Sequence, residues 1–206
     1  MTSYFQKLLA SINSSIQAID ESIFNRLLSD VANAQLYGNK VVVTGLGKNV
    51  PICEKFVGSM TSLGLNASFM HSNTAVHGDL GMIRDGDVVI MLTKSGRTME
   101  SEYLYSLYKE RDITPWLLTF GKDCPLSKEV PNVFILELDH EGDAWDILPN
   151  NSTTIYLIVL QAIAICAAER LGVTLPQFAR NHPGGDIGVK LRNEQETESQ
   201  TYSVTT

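Results

Sequence analysis

The chain has 206 residues, 44% of them hydrophobic and 19% charged, with a formal net charge of −7 at pH 7. That profile belongs to a soluble globular domain of ordinary size, which buries roughly 70% of its unfolded surface and needs neither disulfide nor metal staple. The negative balance argues against nucleic acid as a partner, and the three cysteines, Cys53, Cys124 and Cys166, are far apart and free of C-x-x-C spacing, as expected in a reducing compartment.

Residues 1–15 lack the charged start, apolar run and small-residue cleavage site of a secretory leader, so a cytoplasmic protein is expected. Ile12, Ile16, Ile19, Ile23, Leu27 and Val31 recur at intervals of four and three, the stripe of one long amphipathic helix over about residues 3–36. Such a helix outreaches a compact domain, so residues 1–37 are expected to pack on the domain itself or on a partner subunit.

Residues 40–44 (KVVVT) form a β-branched run that opens into Gly45-Leu46-Gly47-Lys48-Asn49, a strand, glycine turn and helix start. Val50 replaces the third glycine of the dinucleotide fingerprint, and the next strand candidate, residues 67–70, ends in His71 where a ribose would need an acidic residue. Both features disfavour a nicotinamide cofactor. Lys48 is either a solvated surface lysine or an ammonium placed to attract a phosphate or carboxylate. Residues 74–83, TAVHGDLGMI, read as a loop with a short helical turn, in which His77 is structural or lines a pocket.

Residues 88–92 (VVIML) have the length and branching of a fully buried strand, and empty into a loop carrying Thr93, Ser95, Gly96 and Thr98 before a helix from Met99. Free N–H groups at the helix start, the helix dipole and three hydroxyls make an anion cradle, but an ordinary N-cap has the same letters. Glu100, in the first turn, is either a dipole-complementing residue or a group that reaches a ligand. Residues 116–120 (WLLTF) and 132–138 (NVFILEL) are further strands. Strands divided by helix-like segments indicate a parallel α/β sheet, whose ligands sit beyond the carboxyl ends of the strands.

The acidic loop at residues 139–150 carries Glu141 just past a strand end, and the spacing of its His140, Asp143 and Asp146 matches no common metal site, so no metal is expected. Asn151 to Thr154 open a long apolar helix through about Leu171 that is interrupted by Gln161 and too short to span a bilayer comfortably; it reads as a buried helix. Ser152 and Thr153 are donors at its start. A short helix at residues 174–179 ends in the turn Asn181-His182-Pro183-Gly184-Gly185, and the polar residues 193–206 are expected to be disordered.

In order and spacing, TGLGKN, AVHGDLGMI, TKSGRTME, LPNNSTT and FARNHPGGDIG resemble the sugar isomerase (SIS) family over roughly residues 38–192, and within it the arabinose-5-phosphate isomerase group. The resemblance implies a three-layer α/β sandwich with a five-stranded parallel sheet flanked by helices, assembled as a tetramer or dimer. It implies a sugar phosphate as the small-molecule partner, no redox cofactor, and interconversion of arabinose 5-phosphate and ribulose 5-phosphate through an enediol. It puts the phosphate on Thr93, Ser95 and Thr98, with Gly47, His77, Ser152 and Thr153 also at the site, and catalysis on Lys48, Glu100, Glu141 and His182. In that scheme His182 opens the ring, Glu100 or Glu141 moves the proton, and Lys48 steadies the developing oxyanion.

The chain departs from the family pattern at Asn49 and Val50, where a small polar residue and glycine are common, at Lys94 and Arg97, which make the phosphate loop basic, and at NNSTT in place of a Thr-Ser-Ser run. The paired CBS domains of many relatives are not expected here. Two other readings stand beside the first: a non-catalytic sugar-phosphate sensor, and an isomerase of another pentose or hexose phosphate. The Lys-Glu-Glu-His set favours an enzyme, because a sensor needs the hydroxyl loop but no acid/base groups.

Overall fold

The strand candidates become five parallel strands, β1 (Val41–Gly45), β2 (Ala67–His71), β3 (Val88–Leu92), β4 (Thr114–Thr119) and β5 (Asn132–Ile135), in the spatial order β2-β1-β3-β4-β5. The structure, a computed structural model, describes residues 2–191; the tail at residues 193–206 lies outside them. β1 and β3 are buried at every position, which is why their sequences are continuous apolar runs rather than alternating ones. Strand order reverses between β1 and β3, and their register pairs Gly45 with Leu92, so the glycine loop and the hydroxyl loop leave the sheet side by side. A reversal of this kind opens the crevice in which parallel sheets hold ligands.

The helices that frame the sheet are α1 (Thr2–Gln17), α2 (Glu21–Leu36), α3 (Val50–Ser62), α4 (Met99–Tyr108), α5 (Pro125–Glu129), α6 (Asn151–Arg170) and α7 (Leu175–Arg180), and a further helical stretch begins at residue 185. Alternate strand residues face opposite layers. Val41, Val43, Ile90 and Leu92 pack with Leu27, Val31, Phe56, Ile155 and Val159. On the other face Val42, Val89 and Met91 pack with Leu104, Tyr105, Tyr108 and Leu126. This is the expected three-layer sandwich. α6 is long and apolar enough by composition to cross a membrane, but it is the core helix, with Ile155, Tyr156, Val159, Leu160 and Ile163 buried.

The expected single N-terminal helix is two. Asp20 takes an extended conformation and its carboxylate accepts from Ser22 N at 2.9 Å and Ile23 N at 3.3 Å, capping α2 and ending any continuation from α1. The apolar stripe nevertheless runs on across the break, because Ile12, Ile16, Ile19 and Ile23 all pack against the chain's own core. Hydrophobic period reports which face is buried and is blind to a cap that leaves that face in phase.

Candidate active site

The loop after β3 is held from below by the end of β4. Thr119 Oγ1 donates to the Lys94 carbonyl at 3.1 Å, and Phe120 N donates to the same carbonyl at 3.0 Å. Within the loop, Gly96 N donates to Thr93 Oγ1 at 3.3 Å and Arg97 N to Ser95 Oγ at 3.3 Å. Thr98 is the N-cap residue of α4, yet its side chain makes no cap bond; its hydroxyl lies 3.5 Å from that of Thr93. An ordinary cap would have used that hydroxyl. Ser101 N turns back to the Thr98 carbonyl at 3.0 Å, which leaves the Met99 and Glu100 N–H groups, beside the Thr98 hydroxyl, to face an anion.

Across the crevice, Gly47 turns the chain at φ +56° and Lys48 stands exposed, with no hydrogen bond or ion pair among the described residues. Asn49, one of the departures from the family pattern, links the two loops, its side-chain amide donating to the Leu92 carbonyl at 3.2 Å. Glu100 is exposed in the first turn of α4 and, among the described residues, is likewise without a partner. His77 is exposed in a turn beyond β2, at the same edge of the sheet.

Glu141 is different in kind. Its side chain is wholly buried, and its Oε1 receives Lys94 Nζ at 2.6 Å and Ser152 Oγ at 2.6 Å. Its Oε2 accepts from Ser152 N at 2.9 Å and Asn150 N at 3.0 Å. The carboxylate thus caps α6 in place of Asn150, the N-cap residue, whose own side chain makes no cap bond. Burial by itself would raise the Glu141 pKa, but the Lys94 ammonium, the Ser152 hydroxyl and two backbone N–H groups outweigh it and carry the group below the ordinary carboxylate value.

A carboxyl depressed in the folded state contributes stability above its unfolded pKa and loses it as pH falls through the folded value. Acid titration of the melting temperature is therefore expected to fall more steeply below about pH 4.5 for the native chain than for Glu141→Gln; parallel curves would mean that the pair contributes nothing.

Ser152 is buried with its hydroxyl engaged by Glu141, and Thr153 donates to the Asn150 carbonyl at 2.9 Å, so both hydroxyl protons serve their own chain. His182 lies elsewhere. Its Nε2 is 2.8 Å from Ser62 Oγ and its ring stacks on Phe178 at 4.0 Å between centroids. Ser62 ends α3 and Lys48 precedes its start, so roughly 20 Å of helix separates His182 from Lys48 within one chain.

A cavity of about 560 Å³ lies beside the hydroxyl loop, lined by Lys94, Ser95, Arg97, Phe120, Gly121 and Leu138, with Asp139 and Asp146 on its wall. That is within the usual size of a small-ligand pocket. The sequence marks Lys94 and Arg97 only as unusual basic residues. In the fold each has a defined place, Lys94 on Glu141 and Arg97 donating to the Asp123 carbonyl at 2.9 Å.

The SIS domain family profile matches residues 38–166. The arabinose 5-phosphate isomerase KdsD of Pseudomonas aeruginosa is 36% identical over 152 residues, which is 74% of this chain and 47% of that protein. The arabinose 5-phosphate isomerase GutQ of Escherichia coli K12 is 32% identical over 155 residues, 75% of this chain and 48% of that protein. The chain spans about half the length of the curated relatives it matches. Among solved structures, the c3406 protein of E. coli CFT073 in complex with arabinose 5-phosphate has a TM-score of 0.81 at 28% identity, covering 87% of this chain and 94% of that one.

Proposed function

Since the chain belongs to the SIS domain family, we propose that it is an aldose–ketose sugar-phosphate isomerase, with arabinose 5-phosphate and ribulose 5-phosphate as its substrate pair. The observation that carries this reading is the placement of exposed Lys48 and Glu100, each without a side-chain partner among the described residues, on the two loops that leave the adjacent ends of β1 and β3. The names of KdsD and GutQ and the ligand of c3406 support the choice of sugar.

In the open-chain aldose, Glu100 takes the proton from C2. The C2–H electron pair becomes the C1–C2 double bond of an enediolate, and charge gathers on O1, where the Lys48 ammonium stabilises it. Return of the proton from Glu100 to C1, with transfer of the O2 proton to O1, completes the ketose. Thr93, Ser95 and Thr98 hold the phosphate while this happens. Glu141 is a poor base in this arrangement, because its oxygens are enclosed by four donors.

Ring opening falls to His182 supplied by a neighbouring copy, since within one chain it stands at the far end of α3. Exposed Tyr4, Phe5 and Leu9 on α1 and Trp145, Ile147 and Leu148 on the acidic loop support such an assembly, because patches of this kind are usually covered. The reading also takes the protein to work in the cytoplasm, without a cofactor.

Proton exchange at C2 across a panel of pentose and hexose phosphates in deuterated water tests the proposal. Exchange with arabinose 5-phosphate and formation of ribulose 5-phosphate is the expected result. Exchange confined to a different sugar phosphate would reassign the substrate, and tight binding of a sugar phosphate with no exchange would identify a sensor.

A further inference from the structure

Lys94 joins the hydroxyl loop to the start of α6. Its backbone is fixed by Thr119 and Phe120, and its ammonium is anchored at 2.6 Å on a carboxylate that is itself wholly buried and immobile. The lysine side chain keeps 40% of its surface open and lines the 560 Å³ cavity beside Ser95 and Gly121. An ammonium has three donors and Glu141 occupies one edge of it, leaving N–H groups for the cavity. Surface ion pairs are usually too loose to fix a charge, but here one partner cannot move.

The other charges facing this space sharpen the point. Arg97, the only other cation on the wall among the described residues, turns its guanidinium to the Asp123 carbonyl, while Asp139 and Asp146 line the wall, Asp146 Oδ1 accepting from Glu141 N at 2.6 Å. In a chain of net charge −7 an anion entering the cavity is repelled from the acidic wall and has one anchored ammonium to meet. We propose that Lys94 is a specificity-determining residue, the cation that selects a phosphate ester over an unphosphorylated sugar, with Glu141 as the positioning residue that holds it at the loop. The assignment rests on the sugar-phosphate reading for the identity of the ligand and on the pocket geometry for its site.

Calorimetric titration of the whole chain with inorganic phosphate tests it independently of turnover. Lys94→Met is expected to weaken phosphate binding by about tenfold or more, and Lys94→Arg to stay within about threefold of the native chain. Because Lys94→Met strands a buried carboxylate and can impair folding, the double variant Lys94→Met with Glu141→Gln removes both charges together and must show the same loss. The loss in kcat/KM for arabinose 5-phosphate should be carried by KM.

Phosphate affinity within about twofold of native in the double variant overturns the proposal, as does a native chain that binds no phosphate. If phosphate binding is lost in both variants while the native chain isomerises no sugar, the Lys94 assignment stands and the isomerase reading falls. If KM for the sugar phosphate is unmoved in an active variant, the reverse holds.

Discussion

Glu100→Gln should lower kcat by roughly 10² to 10⁴, the range expected for loss of a general base, while the melting temperature stays close to native. Glutamine has nearly the same shape and cannot accept the substrate proton. The side chain is exposed and unpaired among the described residues, so folding loses at most a favourable charge at the start of α4, worth about 0.3–1 kcal/mol. Glu141→Gln makes the opposite pattern. It leaves Lys94 facing a neutral amide beneath the loop and disturbs the cap of α6, so its cost falls on stability and on KM. Steady-state kinetics and C2 exchange on the two variants, with melting curves beside them, separate base from anchor. A Glu100→Gln enzyme within about tenfold of native kcat, beside a Glu141→Gln enzyme slowed about 10²-fold or more, would exchange the two roles.

The sheet was legible because β1 and β3 are continuous apolar runs buried at every position and β4 carries a buried Trp116-Leu117-Leu118 run, whereas β2, with one buried residue, carries a weaker signal. Residues 88–92 are assigned as strand in the sequence and fold as β3 over the same five positions. The helical break at Asp20 was less visible, although Asp20-x-Ser22 is itself a capping signal, because the apolar stripe passes through it unbroken.

At the site, local chemistry was legible and pairing was not. The hydroxyl loop, Gly47, Lys48 and Glu100 lie where a strand-loop-helix reading puts them, since each depends only on its neighbours in sequence. Ser152 looked like a free donor at a helix start; its hydroxyl is taken by Glu141, a partner eleven residues away that the helix pattern does not encode. The Lys94–Glu141 contact joins the ends of β3 and β5 across β4, and only the strand order brings them together. Asn49 reads as a departure from a family pattern in the sequence and as the tie between two loops in the fold.

Gly96→Ala should destabilise the chain by about 3 kcal/mol, the sum of roughly 1–2 for a left-handed alanine and roughly 1–3 for overpacking. Gly96 sits at φ +62°, and an added Cβ would run into Cys124 Sγ and come within 2.8 Å of Cys124 Cβ. Cys124 cannot yield easily, because it is fully buried and its sulfur accepts from Ser127 N at 3.3 Å to cap α5. Gly47 provides the control. It has φ +56° but nothing within 4 Å of where an added methyl would stand, so Gly47→Ala carries the strain without the clash. Urea titrations should therefore place Gly96→Ala below Gly47→Ala by about 1–3 kcal/mol, and adding Cys124→Ala to the Gly96 variant should recover part of that gap as a positive coupling in a double-mutant cycle. Equal losses at the two glycines would mean that the loop relaxes away from Cys124. The loop would then be softer than its bonds to Thr119 and Phe120 imply, and a grip on phosphate that depends on its rigidity would weaken with it.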